Sequence, residues 1–486
     1  MRKARLSALL VSLLATAGCA VGPDYRPPET PSASAGAFVT KTAQADPAAA
    51  LPDDWWKLYN DPVLNGLIEQ ALSANTDLRV ASANLARARA VLSEARSGRL
   101  PSTTLSGGGS YGDAAQIGGS GGGGFVSLDD TQWSTNASAA VSWEADLFGR
   151  VSRSIQAARA DTEAVEAARD GVRVLVAAET TRAYLNACSY AYALDTARES
   201  YQTSEESLKL ITAQERAGSA AKLDVERAGA AAATARAAVP ALEGERKVAL
   251  FELAALLGKT PDSIPKGAQG CTRPKSPTSA LPVGDGAALL RRRPDLREAE
   301  RQLAADTARI GVATADLYPR ISLGGSGNFF RNDQVKGSDS FSFSLGPLIS
   351  WSFPNITVAR ARVRQAKAQA DAALATFDGK VLTALKEVEQ ALTRVATGQR
   401  RLDALQEARD RSERAWHLAD QRYRAGSISY LDVLVAQTEM LNARSAYADG
   451  MRSLSSDRVD LFKALGGGWQ APEQGDASAT PADAAQ

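Results

Sequence analysis

Four segments of the chain alternate between apolar and polar side chains with a period of two. Between Trp133 and Trp143, the residues Ala137, Ala139, Val141 and Trp143 share one parity, while Ser134, Asn136, Ser138 and Ser142 share the other. From Phe341 to Phe353, the residues Phe341, Phe343, Leu345, Ile349, Trp351 and Phe353 oppose Ser342, Ser344, Ser350 and Ser352. Ile321, Leu323 and Phe329 alternate with Ser322, Ser326 and Asn328; Leu105 and Tyr111 fall in phase with Gly107 and Gly109, against Ser106 and Ser110. Successive side chains of a strand point to opposite faces. The pattern therefore predicts four strands of about ten residues, each with one apolar and one polar face, as in a membrane barrel with lipid outside and water inside. Aromatic residues at the strand ends suit interfacial girdles. An ordinary half-buried antiparallel sheet shares the alternation and stays open as the alternative.

Between and after these segments the period lengthens. From Leu374 the apolar positions run Phe377, Val381, Leu385, Val388, Leu392, Val395, Leu402 and Leu405, in steps of three, four and one seven. That is the narrow stripe of a coiled-coil-like helix. Ile155, Val165, Val172, Leu175 and Val176 begin a similar stripe upstream. The stretch Val151 to Glu215 spans roughly 100 Å if helical throughout, at about 1.5 Å per residue, which is far beyond an ordinary globular helix. After the N-terminal run there is no stretch of about 20 apolar residues, so any membrane crossing must be made by strands.

The chain repeats itself. Arg216-Ala217-Gly218-Ser219 recurs at a constant offset as Arg424-Ala425-Gly426-Ser427, and Leu223-Asp224-Val225 recurs as Leu431-Asp432-Val433. Asp170-Gly171 with Asp378-Gly379, Glu179 with Glu387, and Leu257-Gly258 with Leu465-Gly466 keep that offset. A second offset pairs Asp77-Leu78-Arg79 with Asp295-Leu296-Arg297, and Pro101 with Pro319. Each half reads helix, strand, strand, long helix, tight turn, helix. Pro101, Pro319 and Pro354 stand where helix and strand patterns exchange, as expected of a residue that breaks helices.

At the N-terminus, Arg2, Lys3 and Arg5 precede an apolar run from Leu6 to Ala15 and small residues up to Gly18 and Cys19. This is the form of a cleaved secretory signal, too short for a membrane span. Ala15-Thr16-Ala17-Gly18-Cys19 resembles a bacterial lipoprotein signal, with Thr16 where Leu is usual. Cys19 then becomes the acylated first residue, held in a bilayer at roughly 0.8 kcal/mol per buried CH₂. Ala20, where Asp would resemble an inner-membrane retention signal, favours the outer membrane. The organisation is thus a signal peptide at 1–18, a lipid-anchored extended segment at 19–60, a first repeat at 61–258, a linker or equatorial segment at 259–286, a second repeat at 287–468 and a tail at 469–486, rich in Ala, Asp, Pro and Gln and expected to be disordered.

Composition narrows the function classes. Lys+Arg is 56 against Asp+Glu 55, a net charge of +1; there is no basic excess to neutralise a nucleic acid. Aromatic residues are only 6%, and small residues are abundant, which suits closely packed helices and smooth walls. The single histidine, His417, lies in a charged helical stretch beside Trp416 and points away from His-based catalysis. No Cys/His spacing fits a metal site, and no cofactor is expected beyond the lipid on Cys19. Gly118 to Gly124 lacks the Gly-Lys-Ser/Thr ending of a phosphate loop and reads as an exposed loop between strands. Cys188 sits in a helical pattern and reads as a small buried residue; nothing in the sequence pairs it with Cys271.

Four strands cannot close a barrel, since single-chain membrane barrels begin at about eight. An open sheet in lipid leaves edge N–H and C=O groups unpaired, at several kcal/mol each. The strands must therefore join those of other copies. About twelve strands leave a lumen where about eight are filled by side chains.

Taken in order, the motifs resemble the TolC-like outer-membrane efflux proteins, specifically the lipoprotein (NodT-type) branch serving resistance-nodulation-division pumps. They are Gly22-Pro23-Asp24-Tyr25-Arg26-Pro27-Pro28; Trp55-Trp56 with Asp61-Pro62 and Leu64; Ser142-Trp143-Glu144-Ala145-Asp146-Leu147-Phe148-Gly149-Arg150; and Arg291-Arg292-Arg293-Pro294-Asp295-Leu296-Arg297. The resemblance implies an α+β membrane protein with a two-fold internal repeat. It would form a homotrimer with a twelve-stranded transmembrane β-barrel, four strands per chain, continued by a long periplasmic α-helical barrel with an equatorial belt. It implies a periplasmic adaptor, an inner-membrane transporter and outer-membrane lipid as partners, and passive export of small molecules.

On that resemblance the turns at Arg216 to Asp224 and Arg424 to Asp432 lie at the periplasmic tip. Gly218 and Gly426 permit the reversal, and Arg216, Ser219, Leu223, Arg424, Ser427 and Leu431 join them in meeting the adaptor. Asp432 falls at one of the family's gate-ring positions, while Val435 stands at the second. Asp432, with Asp224, is expected to form a cation-selective gate, against the plainer reading of a helix-start carboxylate facing the helix dipole. The rival classes are a lipid-anchored coiled-coil scaffold or adaptor, a type I secretion exit duct, and an enzyme. Serine/aromatic alternation, the lipoprotein signal and the lack of catalytic motifs weigh against each in turn.

Overall fold

The structure is a computed structural model that describes residues 20–29, 36–49, 51–113, 131–277, 280–351, 353 and 356–469. The signal segment, Cys19, the Gly118–Gly124 loop and the tail from residue 470 lie outside the described residues. Four long strands occur among the described residues: β1 Ser102–Asp113, β2 Thr131–Ala145, β3 Arg320–Arg331 and β4 Phe341–Ser350. Among the described residues, seven helices of more than ten residues surround them in sequence: α1 Pro62–Ala74, α2 Thr76–Ser97, α3 Arg150–Arg216, α4 Lys222–Leu256, α5 Pro294–Ala315, α6 Ile356–Arg424 and α7 Tyr430–Ala464. At 67 and 69 residues, α3 and α6 are the long helices that the stripes predict.

The chain forms two compact units, and they cut across the sequence repeats. Each takes a share of both halves. One unit comprises Met1–Pro28, Leu85–Val165 and Glu298–Phe377; the other comprises Glu29–Asn84, Glu166–Arg297 and Asp378–Gln486.

The first unit holds the sheet, an antiparallel meander in the order β1-β2-β3-β4. Among the described residues, the outer edges of β1 and β4 have no strand partner. No described helix is long and apolar enough to cross a membrane.

The second unit holds the largest core. Trp55 stacks on Phe462 with ring centroids 4.5 Å apart, and Tyr59, Leu64, Ile68, Leu253 and Leu392 close around them. Helix α1 starts where Pro62 occupies the first turn and the Asp61 side chain accepts from Val63 N. Short buried residues line α3, among them Ala177, Ala178, Ala183, Ala187 and Ala191. They let neighbouring backbones approach closely, which accounts for the alanine-rich composition.

Two sequence expectations are corrected in this unit. Cys188 is buried, but as half of a disulfide with Cys271. The pairing joins α3 to the segment after the short helix Lys266–Gln269. Trp469, assigned to the tail, is 3% exposed and donates its indole N–H to Arg292 O at 3.0 Å. Its neighbour Gly467 leaves no room for a side chain, since a Cβ there would lie 2.6 Å from Trp55 Cδ1.

Candidate functional site

The register of the sheet keeps the two parities apart across all four strands. Leu105 pairs with Ala139, Tyr111 with Trp133, Trp143 with Leu323, Gly327 with Phe343, and Ile321 with Ile349. These residues share one face, and its large side chains stand open: Leu105 is 84% exposed, Trp133 67% and Phe343 89%. The opposite face is a ladder of hydroxyls. Ser106 and Ser138 are 2.7 Å apart, Ser110 and Ser134 2.9 Å, and Ser326 and Ser344 2.9 Å. In water, an apolar face of this extent is covered by another layer. Here the described residues provide none.

Aromatic residues bracket the apolar face. Tyr111, Trp133 and Phe341 stand at one end; Trp143 stands at the other, with Trp351 just past the end of β4. Along β2, Trp133 and Trp143 are roughly 33 Å apart at about 3.3 Å per residue, or about 25 Å in height at a tilt near 40°. That is the height of a barrel's apolar band. The lower pair is anchored in the same way in both repeats. Trp143 Nε1 donates to Arg99 O at 3.0 Å, and Trp351 Nε1 donates to Leu317 O at 3.3 Å.

The strand-to-helix junction below Trp143 is built by its motif. Asp146 caps α3 by accepting from Val151 N and Ser152 N, both at 2.8 Å. Glu144 holds Arg150 at 2.5 Å. Gly149 turns the chain with φ +77.

In the second unit, the two helical hairpins reverse in matching turns. Gly218 has φ +76 and Gly426 φ +74, and a Cβ at either would meet nothing within 4 Å. The glycines are therefore required by backbone conformation alone. Ser219 N donates to Gln214 O and Ser427 N to Arg422 O, each at 2.9 Å, the bond that ends a helix in a left-handed cap. Arg216, Ser219, Leu223, Arg424, Ser427 and Leu431, the residues expected to meet an adaptor, all lie exposed around these turns. Arg424 also pairs with Asp420 at 2.9 Å.

The hairpins meet through Ile211, Ala228, Tyr430 and Val433. The Tyr423 hydroxyl donates to Gln214, and Tyr423 lies edge-on to Tyr430 at 5.7 Å. Burial, with Tyr423 and Asp224 nearby, pushes the Tyr430 phenol up to about 12. The two gate candidates differ. Asp224 is half-buried and 3.5 Å from Arg227 Nη1. Asp432 is exposed, and its carboxylate accepts from Ser429 N at 3.0 Å and Ser429 Oγ at 2.7 Å, completing a capping box. Among the described residues, no group of three or more His, Cys, Asp or Glu is arranged to hold a metal ion.

The sequence reading missed Arg153, a buried arginine whose spacing on α3 resembles that of any solvated surface charge. It also missed Gly311.

The family model described as outer membrane efflux protein matches residues 67–259 and 287–467, one segment in each repeat. Nodulation protein T of Rhizobium leguminosarum bv. viciae is 30% identical over 474 residues, covering 97% of this chain and 95% of that protein. The solvent efflux pump outer membrane protein SrpC of Pseudomonas putida is 32% identical over 477 residues, covering 95% of this chain and 97% of that protein. The solved structure of the outer-membrane channel OprN superimposes with a TM-score of 0.83 at 38% identity, over 93% of this chain and 100% of that one.

Proposed function

This chain belongs to the outer membrane efflux protein family, and from that premise we propose that three copies close one channel, anchored by lipid on Cys19 and opened from its periplasmic tip. The protein is an outer-membrane channel component of an efflux pump and catalyses no reaction of its own.

The observation that carries the trimer is the four-stranded meander with two unpaired edges and one exposed apolar face. Because the strand number is even, β4 of one copy meets β1 of the next antiparallel. A head-to-tail contact of this kind forms a ring when its rotation closes. Two copies would give about eight strands and a filled interior, while three leave a lumen lined by the serine face. The helical hairpins would continue that lumen as a tube, and the equatorial segment would form its belt.

The turns at Gly218 and Gly426 are the proposed contact for a periplasmic adaptor, which links the channel to an inner-membrane resistance-nodulation-division transporter. Relatives named for solvent, toluene and antibiotic efflux favour small-molecule cargo over protein export. Asp432, assisted by Asp224, is the proposed gate.

The test is the assembled particle. Light scattering of the detergent-extracted chain is expected to give three chains per particle, with discrete conductance in planar bilayers. One or two chains per particle, or bilayers that stay sealed, would overturn the reading.

A further inference from the structure

Two motifs far apart in sequence meet in the first unit. Val21 N donates to Phe148 O at 3.2 Å, which ties the segment beginning at Ala20 to the strand-to-helix junction. The side chain of Arg153, 5% exposed, spends its donors on that segment: Nε on Val21 O at 3.2 Å, and Nη2 on Gly22 O at 3.3 Å and Asp24 Oδ1 at 2.8 Å. Its remaining Nη1 reaches Gln156 Oε1 at 2.9 Å.

Glycines make the fit. A Cβ on Gly149 would lie 2.6 Å from Ala20 Cα; one on Gly22, itself at φ +94, would lie 2.5 Å from Gly311 Cα; one on Gly311 would lie 2.8 Å from Arg153 Cγ. Beyond them, the Tyr25 hydroxyl donates to Glu300 at 2.5 Å, its ring packs on Ala160, Ala304 and Ala305, and the Arg301 guanidinium lies 5.5 Å from the ring centre.

A buried guanidinium is costly to desolvate and is retained where its donors are satisfied. Here two of its partners are main-chain carbonyls, groups that any peptide offers. The glycine floor admits backbone and excludes side chains. The groove is thus built to recognise a particular stretch of main chain lying at one depth, with Asp24 and Tyr25 setting its register.

We propose that this groove is a receptor for the chain's own mature N-terminus. It seats Ala20 to Tyr25 as a ligand and so fixes the residue that carries the acyl chains beside the foot of the sheet. The second half of that statement rests on the reading of Cys19 as acylated. Acylation supplies affinity for the bilayer; the groove supplies position. It also gives the Phe148-Gly149 end of the junction motif a purpose that barrel formation alone does not require.

Hydrogen exchange of the full chain in detergent, read by mass spectrometry over residues 20–29, tests the seat. Slow exchange is expected in the wild type and, within about twofold, in Cys19→Ser. Gly311→Leu is expected to raise the rate by about tenfold or more, and Asp24→Ala, at an exposed side chain, by severalfold. Both of these variants are expected to keep wild-type palmitate labelling. Cys19→Ser exchanging as fast as Gly311→Leu would mean that the lipid holds the segment, and the proposal fails. Unchanged exchange in both Gly311→Leu and Asp24→Ala also overturns it. Labelling separates the two readings: a slowly exchanging but unlabelled wild type overturns the anchor, while a labelled wild type with fast exchange overturns the seat.

Discussion

The side-chain amide of Asn75 donates to the main-chain carbonyl of Leu256 at 3.0 Å. The other repeat makes the same closure with a different residue, Arg293 Nη1 donating to Ala464 O at 2.9 Å. The donor precedes the first residue of α2 in one case and of α5 in the other; the acceptor is the last residue of α4 or α7. Helix C-terminal carbonyls lack intrahelical partners, so each repeat ends its returning helix on its own opening helix. The glycines that follow sit in matching places. A Cβ on Gly258 would lie 2.7 Å from Ala74 O, and one on Gly466 3.2 Å from Arg293 Cγ.

Asn75 is 2% exposed and also caps α2, its Oδ1 accepting from Asp77 N at 2.9 Å and Leu78 N at 3.2 Å. Asn75→Ala therefore removes a cap and leaves a buried carbonyl unpaired, a combined loss of about 2–4 kcal/mol. Asn75→Asp keeps the cap but turns a carboxylate toward the carbonyl, so it is expected to remain destabilised. Thermal unfolding in detergent reads both; a wild-type midpoint for Asn75→Ala would refute the closure's importance.

Acid should weaken the other closure. Arg293 binds Asp295 at 2.8 Å and Glu387 at 2.8 Å. Burial alone would raise the Asp295 carboxyl, but the Arg293 guanidinium, helped by Lys380, outweighs it and holds the group below its ordinary value. A carboxylate depressed in the fold stabilises above its unfolded pKa, near 3.9, and loses that contribution as pH falls through the folded value. The wild-type midpoint is expected to drop below about pH 4 more steeply than that of Asp295→Asn, which starts lower at neutral pH. Parallel curves would show that Asp295 is not the group responsible.

The sheet was legible because a strand's period is two. Once Trp143 and Ser142 are set on opposite faces, every pairing from Leu105–Ala139 to Ile321–Ile349 follows in phase. The turns at Gly218 and Gly426 were legible because two copies of one motif sit in one chain. What stayed hidden depends on contacts that leave no periodic trace. Asn75 and Arg293 do the same work with different chemistry, so aligning the repeats conceals them. Arg153 looks like any helix-surface charge until its partners arrive from Val21 to Asp24. Trp469 stands alone beyond the last helix, and one isolated apolar residue has no pattern.

The Cys188–Cys271 bond belongs with these hidden contacts, and it too has a measurable consequence. Its cysteines are 83 residues apart in sequence and their Cα atoms 5.1 Å apart. Closing a loop of that length restricts the unfolded chain by about 4.5 kcal/mol on chain entropy alone, while the stabilisation disulfides deliver is typically about 2–4 kcal/mol. Reductant is expected to lower the unfolding midpoint of the wild type and to leave that of Cys188→Ala/Cys271→Ala unchanged. An equal shift in both would assign the effect to something other than this bond.

Asp432 carries two separable properties, a helix cap and a charge. Its carboxylate takes two hydrogen bonds from Ser429, enough to explain the residue with no gate at all. A three-fold ring would bring three such carboxylates together, where like charges repel unless a cation joins them. Val435, 50% exposed, offers no second charge to share the task. Ser429→Ala removes the cap and should cost about 1 kcal/mol of stability without altering ion selectivity. Asp432→Asn removes the charge and should lower the cation-to-anion permeability ratio in planar bilayers severalfold. Asp224→Asn should do less, because Arg227 lies beside that carboxylate. If Asp432→Asn conducts with wild-type selectivity while Ser429→Ala loses stability, Asp432 is a cap and not the proposed gate.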